Sequence, residues 1–256
     1  MDNNIILPII SWLQSLPTEI TSGILLLACA GCILTMFRLF GQNGLYIYSS
    51  VAMLAANIQV LKGTQLYFCH TPIALGTIAF SSVYLCTSLL TEHYGSKAAQ
   101  QNVGLCFAAQ IIMTLLMLLA IGHQPLPTNN LVPGTEHMPP AEQAMTTLFT
   151  PSPRLLLSSL LSFSVSQLLA IACIKLLKRY PLFIKHGNVW LSSTTFMLLA
   201  SVADTTTFSL LAWKVLSPNP ASLQVIFYTY ILWTLISQLF VVLLASPTTY
   251  LSCRWR

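Results

Sequence analysis

One carboxylate stands inside an otherwise apolar stretch, FMLLASVADTTTFSLLAW at 196–213. Apolar residues on both sides keep Asp204 from either membrane interface, and an Asp at the centre of a membrane helix costs about 2.5–3.5 kcal/mol on insertion scales. We therefore expect Asp204 to face the interior of a helical bundle, where a substrate or a coupled proton meets it. The alternative is a structural acid, hydrogen-bonded to Ser201, Thr205 or Thr207.

Other polar side chains also recur within apolar segments. A single membrane amide usually bonds a neighbouring helix, which contributes roughly 0.6–2 kcal/mol. Several amides that converge on one cavity would instead bind a flat ligand rich in hydrogen-bonding groups. Glu92 closes one apolar segment, either as a solvated helix-end acid beside Lys97 or as part of a site. The amides at membrane depth are Asn57, Gln59, Gln110, Gln167 and Gln238.

The composition requires that a membrane positions these residues. Hydrophobic residues make up 55% of the 256 residues, charged residues 7%, and the mean hydropathy is +0.74. A soluble domain carries about 25% charged residues, so the chain is predicted to be an all-α, polytopic membrane bundle. The net charge of +5 then indicates topology signals, and no nucleic-acid partner is expected.

Seven segments are candidates to span the membrane, since a bilayer core needs about 20 apolar residues per helix. We treat 1–256 as a single transporter-like membrane domain. Its 1–40 region holds a short interfacial strip and an extra helix, and a Pro-rich extramembrane loop covers 123–153. The candidate spans are 23–40, 44–61, 72–90, 103–122, 155–177, 189–216 and 222–245.

The basic residues predict that the N-terminus is outside and the C-terminus inside. This orientation places eight Lys and Arg residues in inside loops and three in outside loops, as the positive-inside rule favours. The outside residues are Lys62, Arg154 and Lys214. The inside residues are Arg38, Lys97, Lys175, Lys178, Arg179, Lys185, Arg254 and Arg256.

Catalysis is not expected from this pattern. The five histidines are dispersed, and no H-x-x-x-H spacing or pair of carboxylates accompanies them, whereas an enzyme needs a nucleophile, a base or a metal cluster. Cys29 and Cys32 form a C-x-x-C, which we interpret as small residues at a helix contact, because no second pair or histidine lies nearby in sequence. We predict neither a metal nor a cofactor.

Two motifs, ANIQVLK at 56–62 and TEHYGSKAA at 91–99, carry a likeness to a known family. PSPRLLLSSLLSFSVSQLL, NVWLSS, VADTTTF and ASPTTY follow in the same order. The chain resembles the queuosine precursor transporter family, bacterial inner-membrane proteins of the vitamin-uptake type. The likeness implies a six-helix core preceded by one extra helix, and a substrate-binding set. That set is Asp204, Glu92, Asn57, Gln59, Lys62, Gln167, Arg154 and Ser88.

The chain also departs from the family pattern where the family carries charges. Ser88 and Ala170 stand where the family has acids, and Ser192 stands where it has an arginine. Gln238 aligns with a family lysine. Because acids and bases are both missing, we interpret the loss as one charged network removed together.

The resemblance implies import of a queuosine precursor, queuine or a pre-queuosine 7-deazaguanine base, across the bacterial inner membrane for tRNA modification. A second reading is the substrate-binding subunit of an energised uptake complex, with Ala52, Ala55 and Ala56 as a face for another subunit. A third is a carrier of another small heterocycle. The expected partners are the small molecule and the lipid bilayer, and a homo-oligomer stays open.

Overall fold

A computed structural model describes residues 6–65, 67, 73–124, 138–149, 153–177 and 189–254. The described chain is helical apart from one antiparallel pairing of Gly63–Thr64 with Ile73–Ala74. The first six helices are α1 (Ile6–Ser15), α2 (Thr18–Gln59), α3 (Gly76–His93), α4 (Ser96–Ile121), α5 (Met138–Phe149) and α6 (Pro153–Leu177). They are followed by α7 (Val189–Leu210), the π-helical turn π1 (Leu211–Val215), α8 (Leu223–Val225), the π-helical turn π2 (Ile226–Ile231) and α9 (Leu232–Arg254).

Five stretches of the described chain are long and apolar enough to cross a membrane. Large apolar side chains are exposed along them, and on α4 Leu115, Leu116 and Leu119 are each more than half exposed. Exposed apolar surface of this extent is suited to lipid. The prediction of an all-α polytopic membrane protein is confirmed. The five stretches are Thr18–Gln59, Ser96–Ile121, Leu157–Leu177, Leu191–Val215 and Leu223–Leu244.

The first two predicted spans, 23–40 and 44–61, lie in the single element α2 except for residues 60 and 61. A helix of 42 residues would be about 63 Å long at 1.5 Å per residue, roughly twice a bilayer core. Gly41 interrupts it with φ 56° and ψ −128°, a conformation that glycine adopts without the steric cost of a Cβ. The interruption divides α2 into two segments close to the predicted boundaries.

Helix α3 lies in the centre of the bundle. Most of its residues are buried, and it contacts α2, α4, α7 and α9. Several of its buried hydroxyl groups bond to backbone carbonyls one turn earlier, for example Thr91 Oγ1 to Thr87 O at 2.8 Å. Such bonds let a polar helix pass through an apolar core. The predicted start of this span at 72 was wrong, because residues 73–74 form the second strand of the hairpin and the helix begins at Gly76.

The packing of α2 on α3 uses the small residues of α2. A Cβ placed on Gly76 would lie 2.5 Å from the backbone oxygen of Ala56, so only glycine permits this approach. Ala56 is fully buried and Ala52 is 8% exposed within the chain itself. The prediction that these two alanines present a face to another subunit was therefore wrong.

Candidate substrate-binding site

A cavity of about 430 Å³ opens between the helices on one side of the bundle, a size typical of small-molecule sites. Its wall comprises the last turns of α2, the hairpin, the first turn of α3, parts of α4 and α6, the end of α7, the two π-helical turns and the first turns of α9. Leu148 and Phe149 of α5 also line it. The segment predicted as a polar loop over 123–153 thus contributes a helix and an apolar wall to the cavity.

Asp204 lines this cavity and is the only charged residue among the described residues that do so. Its Oδ2 accepts a hydrogen bond from Tyr84 Oη at 2.7 Å, and its Oδ1 accepts one from Ser162 Oγ at 2.8 Å. The carboxylate therefore joins α3, α6 and α7. Two local partners of the structural alternative do not hold it: Thr205 Oγ1 bonds to Gln238, and Ser201 Oγ has no hydrogen-bond partner among the described atoms.

An amide cluster lies next to the carboxylate. Asn57 Nδ2 donates to Gln110 Oε1 at 2.8 Å, and Ser159 Oγ donates to Asn57 Oδ1 at 3.0 Å. Ser159 and Ser162 are three residues apart on α6, a rise of about 4.5 Å along the helix axis. One face of α6 therefore holds the amide cluster and Asp204 side by side, and all of these residues line the cavity.

Two aromatic rings stack at another part of the wall. Trp213 and Tyr230 have ring centroids 4.7 Å apart and planes inclined by 18°, and both line the cavity. Trp213 lies in π1 and Tyr230 in π2. Short π-helical turns occur often at functional sites, and here each of them supplies one ring of the stack.

Gln238 belongs to the same cavity wall as Asp204. It lines the cavity, is 3% exposed, and its Oε1 accepts a hydrogen bond from Thr205 Oγ1 at 3.0 Å. The resemblance places a family lysine at this position. In this chain a neutral amide thus occupies this position of the wall, and Asp204 is left as the single charge among the described lining residues.

The remaining predicted site residues lie elsewhere. Lys62 is exposed and follows the lining residue Leu61, so it lies at the edge of the cavity. Gln59 does not line the cavity, and its buried Oε1 has no hydrogen-bond partner among the described atoms. The side chain of Arg154 lies outside the described residues.

Glu92 lies at the opposite end of α3 from the cavity. Eight residues separate it from Tyr84, about 12 Å along the helix, and its Oε1 accepts a hydrogen bond from Ser192 Oγ at 2.5 Å. Ser88 lies one turn before it on α3. Glu92 therefore lies at one end of the α3–α7 contact. Ser88 and Ser192, two positions where the family carries charges, lie at the same end. Ala170 and Gln167 are buried in α6, outside the cavity wall.

The two residues that donate hydrogen bonds to Asp204 escaped prediction. Tyr84 had no predicted role, yet it is fully buried and donates a hydrogen bond to Asp204. Its position in the middle of the 72–90 segment was the signal for an interior tyrosine. Ser162 gave no signal, because serines are frequent along α6 and only the packing identifies the one that meets the acid.

A family model described as "Putative vitamin uptake transporter" matches residues 74–252, which include α3 and all later helices except the last two residues of α9. The chain belongs to this vitamin uptake transporter family. The resemblance noted from the motifs is thereby confirmed.

A curated relative adds a second comparison. A Bacillus subtilis (strain 168) protein named "Probable queuosine precursor transporter" is 26% identical over 200 residues, which cover 78% of this chain and 81% of the relative. No solved structure matches the chain.

Proposed function

We propose that this member of the family imports a queuosine precursor, a 7-deazaguanine base, through the cavity that Asp204 lines. The observation that carries the proposal is a ligand-sized cavity with a single carboxylate beside an amide cluster. The name of the Bacillus subtilis relative supports the same substrate class. As a transporter the protein would have no catalytic residues.

The carboxylate retains capacity for a ligand. An ionised carboxylate offers about four lone-pair sites, and the hydrogen bonds from Tyr84 and Ser162 use one on each oxygen. The remaining sites suit the guanine-like N–H edge or a cationic amine on the base. Bonds of this charge-assisted kind are roughly twice as strong as neutral ones.

The rest of the wall suits the rest of the base. Asn57 and Gln110 supply amide groups for the polar edges of a heterocycle, and their mutual hydrogen bond orients both side chains before a ligand arrives. Trp213 and Tyr230 offer a flat surface for stacking, because aromatic rings favour offset-stacked neighbours.

The charge of the cavity favours one group of precursors. Among its described lining residues Asp204 is the only charged one. A pre-queuosine base with a cationic aminomethyl arm is therefore attracted to it, whereas the pre-queuosine base with a neutral nitrile group is not. We therefore propose that the aminomethyl base is bound more tightly than the nitrile base.

The proposed topology has seven spans, with the N-terminus outside and the C-terminus inside the bacterial inner membrane. In this orientation the ends of α2, α4 and α7 that line the cavity lie on the outer side, and Glu92 lies on the inner side. The described conformation would then be open to the outside. Alternate opening to the two sides of a central site is the usual logic of secondary transporters.

The test uses a queuosine-deficient bacterium that lacks its own precursor carrier. The chain is expressed, a limiting amount of precursor is fed, and queuosine in tRNA is measured. Wild type should restore the modification, and Asp204→Asn should reduce it at least tenfold. The control is Thr206→Val on the same helix, because the Thr206 hydroxyl bonds to backbone oxygens of its own helix and does not line the cavity. Full restoration by Asp204→Asn would refute the proposal.

A further inference from the structure

Four polar residues on the side of Asp204 away from the cavity are buried without a hydrogen-bond partner among the described atoms. They are Ser88, Gln167, Ser193 and Ser201, which we call the closed-side residues. The three hydroxyl oxygens and both polar atoms of the Gln167 amide lack a partner. Each residue is at most 2% exposed, and none lines the cavity.

Their side of the bundle follows from the helix directions. Tyr84 bonds to Asp204 and Glu92 to Ser192, so α3 and α7 run antiparallel. Ser88 lies about 6 Å beyond Tyr84 along α3, at 1.5 Å per residue. Along α7, Ser201 and Ser193 precede Asp204 by three and eleven residues. At this spacing they lie on the same face of the helix as Asp204.

Helix α6 continues the same arrangement. Ser159 and Ser162 line the cavity, and Gln167 lies five residues further along the helix, away from it. Helix α6 contacts α7, and α3 contacts both. The closed-side residues thus come from the three helices that hold Asp204.

This arrangement is unfavourable for a purely structural core. Buried polar groups in native proteins are nearly always hydrogen-bonded, and leaving one without a partner costs free energy that an apolar side chain of the same shape would not. An unsatisfied glutamine amide is especially costly, because it carries two donors and an acceptor oxygen. Groups of this kind therefore indicate a place that water or a polar ligand occupies.

We propose that the closed-side residues line the second half of the substrate path. They would form a polar site that the base and water occupy after the cavity side has closed. This inference rests on the proposed function. In the described conformation apolar side chains fill this level of the bundle: Phe163, Phe196 and Met197 are at most 1% exposed. Access requires that α6 and α7 separate from α3, which would expose the closed-side residues toward the end of α3 where Glu92 lies.

The first test is Gln167→Leu, which keeps the volume and removes the amide. Binding of radiolabelled 7-aminomethyl-7-deazaguanine to the purified protein should stay within threefold of wild type, because the cavity is intact. Uptake of the same base into proteoliposomes should fall at least tenfold. Thermal stability should be unchanged or higher. The control is Ser164→Leu on α6, where the lost hydroxyl bonds to Leu160 O, and its uptake should be as wild type.

The second test detects opening directly and does not depend on Gln167→Leu folding. Ser193→Cys is treated with a charged thiol reagent, and the labelled residue is identified by peptide mass spectrometry. We expect labelling at least tenfold faster than for Ser81→Cys, since Ser81 is equally buried but its hydroxyl bonds to Thr77 O.

Two results would overturn this inference while the proposed function stands: wild-type uptake by folded Gln167→Leu, or labelling of Ser193→Cys no faster than of Ser81→Cys. If wild-type protein neither binds nor transports the base, the proposed function itself fails, and the inference that rests on it falls with it.

Discussion

Replacing Gln238 by lysine tests whether the charge of the cavity selects the substrate. Gln238 accepts a hydrogen bond from Thr205, the residue next to Asp204, and all three line the cavity. A lysine ammonium at this position would pair with the carboxylate and leave no net charge in the described wall. The resemblance places a family lysine here, so the substitution restores a family feature.

The size of the effect follows from the Coulomb interaction. Unit charges 4 Å apart attract by about 4 kcal/mol at an effective dielectric constant of 20, and about 1.4 kcal/mol corresponds to tenfold in affinity. This energy is a ceiling, because Gln238 is 3% exposed and a lysine there loses hydration. We expect affinity for the cationic aminomethyl base to fall at least tenfold, and affinity for the neutral nitrile base to change less than threefold.

The assay is equilibrium binding of both bases to purified protein, with Gln238→Met as the matched control of similar length and no charge. The control should leave the affinity ratio of the two bases close to wild type. The reasoning is refuted if Gln238→Lys weakens both bases equally, or if Gln238→Met weakens the aminomethyl base as much as Gln238→Lys does.

Two further predictions concern stacking and packing. Trp213→Leu removes one ring of the stack with Tyr230. Since aromatic pairs contribute about 0.5–1.5 kcal/mol, both bases should bind about two- to tenfold more weakly. Unchanged affinities in binding titrations would contradict a stacking role. Gly76→Ala places a Cβ 2.5 Å from Ala56 O and should lower stability by about 1–3 kcal/mol in thermal unfolding. The control, Gly104→Ala, has open space around the added Cβ and should not lower stability. Equal losses of stability in the two variants would contradict the packing argument.

The membrane class and most helix positions could be predicted from the sequence, because lipid-facing surface requires long apolar runs. Segment 155–177 corresponds to α6, for instance, within two residues at its start. The hairpin before α3 and the helix α5 could not be predicted, because neither has an apolar run that separates it from a loop. The π-helical turns also leave no periodic signal, because each is shorter than the window in which a helical period shows.

The candidate site was predictable only where a residue was anomalous for its surroundings. Asp204 and Asn57 stood out as polar groups at membrane depth, and both line the cavity. Glu92 and Gln167 stood out equally, but both lie outside the cavity wall. The height of a residue in the bundle depends on how each helix is positioned against its neighbours, which the sequence does not give. A tyrosine such as Tyr84 is not unusual in a membrane helix, and only the packing of α3 against α7 brings its hydroxyl to Asp204.

The most direct test of the account compares two ligands and two proteins. Wild type and Asp204→Asn, which preserves the shape of the side chain, are titrated with the aminomethyl and nitrile 7-deazaguanine bases. Wild type should bind the aminomethyl base at least tenfold more tightly, and the variant should bind the two bases within about threefold of each other, because charge-assisted hydrogen bonds are roughly twice as strong as neutral ones. Equal binding of both bases by wild type, or an undiminished preference in Asp204→Asn, would contradict the claim that this carboxylate recognises the substrate.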